Sequence, residues 1–253
     1  MTEGTNQIRV TEFFEEHSAN YGDFFKEGTR TGASEMFRTR MAIVADLLKD
    51  RQGALLDCAT GTGEITQAVN ASGRYTQLWA NDVSAGMLRS AQATILPGTP
   101  GQDLRFTNND IFAIEQVDGL PSFDVVLCLG LIAHVGRIDE LFALFGRLLK
   151  PGGTVVIQTT VSTQFGVRVA RLVNERRMAM GRLHRIHFFS IPEITAVAEA
   201  AGFRTVTVRR FGVCFPFGDK ILGKLNFQLE RRFARAAVRK GGDAVLVFER
   251  IAA

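Results

Sequence analysis

The chain has 253 residues, enough for one domain with a large core, and its composition is that of an ordinary globular protein. Its formal net charge is +4. The longest apolar run, at 125–135, is too short for a membrane-spanning helix, and residues 1–16 lack the basic start and apolar run of a signal peptide. We therefore expect a cytoplasmic protein without a transmembrane helix.

Cysteine and histidine spacing gives no pattern of metal ligands or disulfides. Cys58, Cys128 and Cys214 are far apart and form no CxxC pair, which argues against a disulfide framework or a structural zinc site. We expect the first two to be small buried hydrophobic residues, because they lie in apolar runs. His184 and His187 have no carboxylate between or directly beside them, so no metal site is predicted.

Two helices are predicted ahead of the main fold. Residues 11–25 carry aromatic side chains at helical spacing, and residues 34–49 have apolar side chains with a helical period. We expect residues 1–50 to form a helical cap that closes over a ligand site.

Strands and helices then alternate. Strands are predicted at 54–59, 76–81, 104–108, 123–129 and 154–160, helices at 64–71, 84–94 and 138–149, and a turn at 150–153. This alternation implies a parallel sheet with helices on both faces, and the nearly continuous apolar strands suit a sheet that is buried on both sides.

The C-terminal third adds helices at 165–180 and 191–201 and strands at 203–211 and 244–249. A long insert, 212–242, separates the last two strands, and its part from 226 to 240 is amphipathic. Its basic residues outnumber the single acid, Glu230: Lys220, Lys224, Arg231, Arg232, Arg235, Arg239 and Lys240. Such a segment is typical of a solvated helix face or of peripheral contact with a membrane or lipid. We expect one domain over 1–253, with a core at 54–160 and substrate-side elements at 161–253.

Polar residues follow the first three strands of this core. A turn containing Gly61 and Gly63 follows the first strand, and glycines there let the backbone approach a ligand closely. Asp82 ends the second strand, about 20 residues further on, where a carboxylate can bind ribose hydroxyls. Asp110 follows the third strand and can accept from an adenine amine, with Ile111 packing on the ring. Together these residues predict a nucleoside-shaped crevice.

Residues 54–160 resemble the class I S-adenosylmethionine-dependent methyltransferases. The glycine turn matches their first signature, except that Ala59 stands in place of the usual first glycine. Phe-Asp-Val-Val at 123–126 matches their fourth-strand signature, and Leu-Leu-Lys-Pro-Gly-Gly at 148–153 matches their turn before the fifth strand. The resemblance implies an α/β, Rossmann-like, seven-stranded and mostly parallel sheet whose last strand is antiparallel, with S-adenosyl-L-methionine as cofactor.

The resemblance also implies a set of cofactor-binding residues: Asp57, Ala59, Gly61, Gly63, Asp82, Val83, Asp110, Ile111, Cys128 and Leu129. The glycines would lie against the methionine part, and Asp57 would reach its amino group. The acids after the second and third strands would hold ribose and adenine. The backbone after the fourth strand would face the methionine amine. A dinucleotide is the rival cofactor, but Thr66 stands where its fingerprint requires a third glycine.

The candidate catalytic residues are His134, Tyr21 and His187. An alcohol or phenol acceptor needs a base, and His134 lies just past the fourth strand, although it could instead cap a helix or sit in the core. A histidine there resembles the base of some small-molecule methyltransferases, in which a tyrosine of the N-terminal helix assists. Tyr21 matches that tyrosine, or simply packs in the cap. His187 and Arg185 belong to a segment that lines the acceptor pocket of related enzymes, where they could meet an acidic substrate.

We therefore expect methyl transfer to a small-molecule acceptor, with oxygen favoured and nitrogen and carbon open. One alternative is an enzyme acting on a lipid or quinone at a membrane, which the 220–240 segment and Phe211, Phe215 and Phe217 would suit. Another is a cofactor-binding regulatory protein without catalysis. No nucleic-acid partner is expected, because residues 128–131 read Cys-Leu-Gly-Leu instead of the Asn/Asp-Pro-Pro-Tyr/Phe common in amino-group methylases of nucleic acids and proteins.

Overall fold

A computed structural model describes residues 3–180, 184–213, 218–233 and 240–252, with side chains from Asn6 onward. Seven strands form one sheet: β1 (Gly53–Asp57), β2 (Tyr75–Asn81), β3 (Asp103–Thr107), β4 (Phe123–Leu129), β5 (Leu149–Thr160), β6 (Phe203–Phe211) and β7 (Asp243–Arg250). Their order is β3-β2-β1-β4-β5-β7-β6. The pairs among β1 to β5 are parallel, and β7 is antiparallel to both of its neighbours. The predicted fold class is confirmed.

The helices connect these strands and cover the sheet. They are α1 (Glu3–Tyr21), α2 (Gly32–Leu48), α3 (Glu64–Asn70), α4 (Ala85–Thr94), α5 (Ile132–Val135), α6 (Ile138–Leu148), α7 (Phe165–Ala179), α8 (Ile191–Ala200), α9 (Gly218–Ile221) and α10 (Lys224–Phe233). Short 3₁₀ helices lie at Gly22–Phe25 and Ile111–Gln116. No helix of the described part of the chain is long and apolar enough to cross a membrane.

Side chains of successive residues in each central strand enter opposite layers of the core. Leu56 and Val126 pack with the phenylalanines of α6, whereas Leu55 and Val125 pack beneath α2 and α3. This is the period of two that a sheet covered on both faces requires. Cys58 and Cys128 are buried within it, as expected, while Cys214 lies outside the described residues.

The N-terminal helix differs from its sequence-based bounds. It begins at Glu3 rather than at residue 11, and the α-helix ends at Tyr21, where Gly22 starts the 3₁₀ segment. The aromatic spacing that predicted it starts only at Phe13. The preceding turns present polar residues to the protein interior, including the buried Asn6, so no apolar period marked them.

Two further bounds also differ. Residues 150–153, predicted as a turn, belong to β5, whose pairing with β4 shifts register between Phe123 and Val125. The amphipathic helix predicted at 226–240 begins at Lys224 and is described as far as Phe233. Arg235 and Arg239 of the basic segment, and Phe215 and Phe217, lie outside the described residues.

Candidate active site

A cavity lies at the carboxyl ends of β1, β2 and β4, where parallel strands place ligand sites, and α1 covers it. Eight of the predicted cofactor-binding residues line it: Asp57, Ala59, Gly61, Asp82, Val83, Asp110, Ile111 and Leu129. The other two do not line it. Gly63 caps α3, with a φ of 91° and Ile95 and Ala91 packed against it, and Cys128 is buried within β4, one residue before Leu129.

The glycine turn and the end of β2 are joined by the Asp82 carboxylate. Its Oδ2 accepts from the Gly61 backbone N–H at 2.8 Å, and its Oδ1 accepts from the Ser84 backbone N–H at 2.9 Å. Burial raises the pKa of Asp82, and these two donors oppose the shift. Gly61 has a φ of 57°, and a Cβ placed on it would meet no protein atom within 4 Å. The turn thus leaves open space beside a fixed carboxylate.

Asp57 lies deeper and is held by Thr66. The Thr66 hydroxyl donates to Asp57 Oδ2 at 2.5 Å, and the Ala59 N–H donates to Oδ1 at 3.3 Å. Burial raises the pKa of Asp57 to about 6, against the lowering effect of these hydrogen bonds. Thr66 occupies the position at which a dinucleotide site requires glycine. Here its side chain instead holds the Asp57 carboxyl group in place.

Two sets of contacts hold α1 across the cavity, one in its N-terminal part and one further along the helix. Gln7 donates through its amide to Asp110 Oδ2 at 2.5 Å. Further along, Glu15 Oε2 accepts from the Ser84 hydroxyl at 2.6 Å and from the Gly86 N–H at 2.8 Å, at the start of α4. These donors, with Arg89, lower the pKa of Glu15. The cap is therefore closed in this structure.

Arg40 of α2 also lines the cavity, and sequence analysis missed it. Its guanidinium donates to Gln158 Oε1 at 3.2 Å, stacks on Phe37 with Cζ 4.5 Å from the ring centroid, and hydrogen-bonds with Tyr21. Its Nε is buried with no hydrogen-bond partner in the described part of the chain. The sequence did contain a signal for this residue. Arg40 lies three residues after Phe37 and four before Val44, which puts a charged side chain on the apolar face of a helix.

The predicted pair of Tyr21 and His134 is separated by a ring. Both line the cavity, and Phe14 contacts both, with ring centroids 6.2 Å from Tyr21 and 5.0 Å from His134. Burial raises the pKa of Tyr21, and Arg40 opposes this. Tyr21 therefore interacts with Arg40 rather than forming a dyad with the histidine.

His134 instead interacts with a second histidine. Its Nδ1 lies 3.1 Å from Nε2 of His184, whose side chain is only 4 % exposed. Burial lowers the pKa of His134 to about 3, and His184 and His187 add to this effect. His134 is thus neutral at physiological pH.

His187 lines the same side of the cavity. Its backbone N–H donates to the Ala133 carbonyl at 2.8 Å, and its ring lies directly against Gly136. Among the described residues, no group of three or more His, Cys, Asp or Glu side chains is arranged to hold a metal ion.

The donor set suits a nucleoside that carries an amino acid. The carboxylates of Asp82 and Asp110 line the cavity together with Arg40 and with the open space at Gly61. Within the described residues, the buried Nε of Arg40 has no hydrogen-bond partner. A family model for a methyltransferase domain matches residues 33–208. The chain belongs to this methyltransferase family. S-adenosylmethionine is the methyl donor of the family, and the predicted enzyme class and cofactor are confirmed.

Curated relatives of the methyltransferase match parts of the chain at low identity. The ubiquinone biosynthesis O-methyltransferase of Xanthomonas axonopodis pv. citri (strain 306) is 26 % identical over 65 % of this chain and 68 % of its own. The malonyl-[acyl-carrier protein] O-methyltransferase of Methylovorus sp. (strain MP688) is 30 % identical over 48 % and 42 %. A highly reducing polyketide synthase, bet1 of Neocamarosporium betae, is 28 % identical over 53 % of this chain, which spans 5 % of that protein.

Solved structures share the fold over nearly the whole chain. Magnesium protoporphyrin IX methyltransferase from Synechocystis PCC 6803, with bound S-adenosylmethionine, has a TM-score of 0.64 at 13 % identity, covering 99 % of this chain and 98 % of its own. The N-methyltransferase NodS from Bradyrhizobium japonicum WM9, with S-adenosylhomocysteine, has a TM-score of 0.62 at 12 % identity, covering 96 % and 98 %. At such identities the likeness concerns the fold alone, and the acceptor has to be argued from the cavity.

Proposed function

We propose that the methyltransferase transfers a methyl group to an oxygen atom of a small-molecule acceptor. The observation that carries this proposal is His134, a neutral histidine on the cavity wall whose Nδ1 is engaged by His184. This leaves Nε2 to take a proton from an acceptor hydroxyl. Two of the relatives described above are named O-methyltransferases, which adds support.

In this proposal the cavity residues divide into those that hold the cofactor and those that meet the acceptor. Asp82 and Asp110 bind the ribose and adenine, and the Arg40 guanidinium binds the methionine carboxylate. When bound, S-adenosylmethionine supplies a methyl group that is already activated by its sulfonium. The closed α1 excludes water from the acceptor, and Tyr21 orients Arg40.

His134 then acts on the acceptor. A neutral His134 with its proton on Nδ1 donates to His184 Nε2 and accepts the acceptor's hydroxyl proton at Nε2. Because a pKa of about 3 makes a weak base, this arrangement favours acidic hydroxyls such as phenols over aliphatic alcohols. His187 and Arg185, on the same wall, would contact the acceptor itself.

The test is transfer of radiolabelled methyl from S-adenosylmethionine to panels of phenols, carboxylic acids, amines and lipophilic quinols. We expect a phenolic acceptor, and we expect His134→Gln to lower kcat for it by about 10²- to 10⁴-fold while KM for S-adenosylmethionine stays the same. His17→Gln, on the exposed side of α1, is the matched control. Methylation only at nitrogen or carbon, or cofactor binding with no transfer to any class, would overturn the proposal.

A lipid or quinone acceptor is the second candidate, and exposed basic residues on α9 and α10 favour it. Lys220, Lys224, Arg231 and Arg232 are all exposed, in the segment predicted to touch lipid. The quinol panel addresses this candidate directly.

A further inference from the structure

The outer face of α7 combines apolar and basic side chains. Phe165 is 77 % exposed, Leu172 64 % and Met180, the residue after the helix, 57 %. With Val169, these residues fall within an arc of about 80° on a helical wheel; Arg176 lies inside that arc, and Arg168 and Arg177 flank it. The helix carries four arginines, all exposed, and one acid, Glu175, which pairs with Arg171 at 2.8 Å. Exposed apolar side chains interspersed with and flanked by arginines suit contact with an anionic lipid interface.

A second element of the same chemistry is formed by α9 and α10. On α9 and α10, Ile221 is 65 % exposed, Leu225 50 % and Phe233 45 %. The two acids of this segment are engaged internally. Asp219 accepts from the Gly32 and Ala33 N–H groups, and buried Glu230 accepts from the Val213 N–H at 2.8 Å. These two acids therefore do little to neutralise the positive charges of the four basic residues of the segment, which face solvent.

The residues that lead into these elements lie near one another at one end of the sheet. Thr160 at the end of β5 and Phe211 at the end of β6 both pair with Asp243 at the start of β7, so they lie about two strand spacings, ~10 Å, apart. Gln164, the N-cap of α7, donates to the Val213 carbonyl at 3.2 Å, and Val213 is the residue held by Glu230. We call the exposed side chains of α7, α9 and α10 together the basic edge.

We propose that the basic edge docks the protein on the surface of an anionic lipid bilayer. Its apolar side chains insert at the headgroup boundary, and its arginines and lysines contact lipid phosphates. The occupant is a bilayer because charge and exposed apolar area coincide on the same helix. Binding of an acidic protein would require only the positive charge and would not explain the exposed apolar side chains. Binding of a second copy of this chain would bring like charges together.

Docking would place the cavity next to the lipid. The Ile186 N–H contacts Met178 Sδ at 3.4 Å, and Arg171 lies over the Phe188 ring, so α7 packs directly behind the segment that presents Arg185 and His187 to the cavity. If the proposed function holds, this geometry suits an acceptor drawn from the lipid phase. The docking itself depends neither on the acceptor nor on the cofactor.

The experiment is vesicle co-sedimentation of the full chain with phosphatidylcholine vesicles, with and without phosphatidylglycerol, at low and high salt. We expect binding only when phosphatidylglycerol is present, and loss of binding at high salt. Arg168→Gln with Arg177→Gln should weaken binding about five-fold per arginine. The double variant Phe165→Ser with Leu172→Ser should abolish the fraction of vesicle binding that persists at moderate salt.

The controls are changes of the same kind at distant exposed positions. Leu96→Ser, at a side chain 61 % exposed, and Arg105→Gln on β3, at the opposite edge of the sheet, should leave vesicle binding unchanged. Wild-type protein that stays in the supernatant with both vesicles would overturn the proposal. So would a dimer in sedimentation velocity that Leu172→Ser converts to monomer without any vesicle binding.

Discussion

Arg40 brings a positive charge into a cavity that also contains the carboxylates of Asp57 and Asp82. Its partners are a tyrosine hydroxyl, a glutamine amide and the face of Phe37, none of which carries a negative charge. A carboxylate on the ligand would therefore complete its environment. Hydrogen bonds to charged groups contribute about 1.5–3 kcal/mol, so we expect Arg40→Gln to weaken S-adenosylhomocysteine binding by about 10- to 150-fold.

Calorimetric titration measures this effect. Lys49→Gln, at the exposed C-terminal end of α2, is the matched loss of one positive charge and should bind as wild type does. Unchanged affinity of Arg40→Gln would show that the guanidinium serves only to hold Tyr21 and Gln158.

His134 gives a prediction about stability at acid pH. Its pKa is lowered to about 3 in the folded protein, whereas an unfolded chain holds it near 6.5. As the pH falls from 6.5 toward 3, the unfolded chain binds a proton that the folded protein does not, and the free energy of unfolding decreases. The limit for one proton is about 1.4 kcal/mol per pH unit.

Urea unfolding of wild type and His134→Gln across this window measures the difference. The wild type should lose stability relative to the variant as the pH falls. The raised pKa of Asp57 acts in the opposite direction, but it is present in both proteins and cancels in the comparison. Parallel stability curves would mean that His134 gains a proton in the folded state as easily as in the unfolded chain.

At the scale of elements, α1 is a lid whose attachment to α4 depends on Glu15. This carboxylate accepts from the Ser84 hydroxyl and the Gly86 N–H and pairs with Arg89 at 3.2 Å. Glu15→Ala removes all three contacts at the N-terminus of α4, where a negative charge is favourable. We expect hydrogen–deuterium exchange of the α1 amides to become faster by several-fold.

Glu16→Ala is the matched control, since Glu16 lies next along the helix and is exposed. Equal exchange in the two variants would mean that the aromatic contacts of Phe13 and Phe14 alone hold the lid. Bound S-adenosylhomocysteine should restore protection in Glu15→Ala if the lid closes over the cofactor.

The element scale also shows what sequence patterns can and cannot predict. β1 and β4 were predictable because their runs are apolar on both faces, and α8 because Ser190 and Glu193 form a capping box before an apolar period. The first two turns of α1 were not predictable, since Asn6 and Gln7 are polar residues that face the cavity rather than a core. The periodicity signal measures contact with apolar neighbours, and a lid over a polar site lacks it.

The candidate site likewise contains some residues that the sequence could predict and others that it could not. Asp57, Gly61, Asp82 and Asp110 occur at strand ends, where the topology of a parallel sheet fixes their convergence. Arg40 and His184 come from segments with no motif, and their positions depend on how α2 and the residues after α7 pack. Tertiary packing of this kind leaves at most a weak local trace, such as the charge of Arg40 on the apolar face of α2.

At the scale of the whole molecule, one aromatic cluster joins α6 to the antiparallel half of the sheet. Phe142 is 1 % exposed, and its ring centroid lies 5.5 Å from that of Phe203 and 5.4 Å from that of Phe248. Truncation there leaves a cavity between β6, β7 and α6, and we expect Phe142→Ala to cost about 3–5 kcal/mol of unfolding free energy. Urea denaturation measures it.

Phe165→Ala is the matched control in the same experiment, because that ring is 77 % exposed. Its unfolding free energy should stay within about 0.5 kcal/mol of wild type. A large loss of unfolding free energy in Phe165→Ala would mean that the outer face of α7 is covered in solution. That result would also count against lipid docking through the basic edge.

The place of β7 between β5 and β6 governs how the chain completes its sheet during synthesis. β5 ends at Thr160 and β6 at Phe211, but the strand that joins them begins only at Asp243. While the ribosome still holds that segment, β6 has no neighbour to pair with, and the apolar flank of β5 is an open edge. A nascent chain is therefore most vulnerable to pairing with other chains late in translation, after the cofactor crevice between β1, β2 and β4 has emerged.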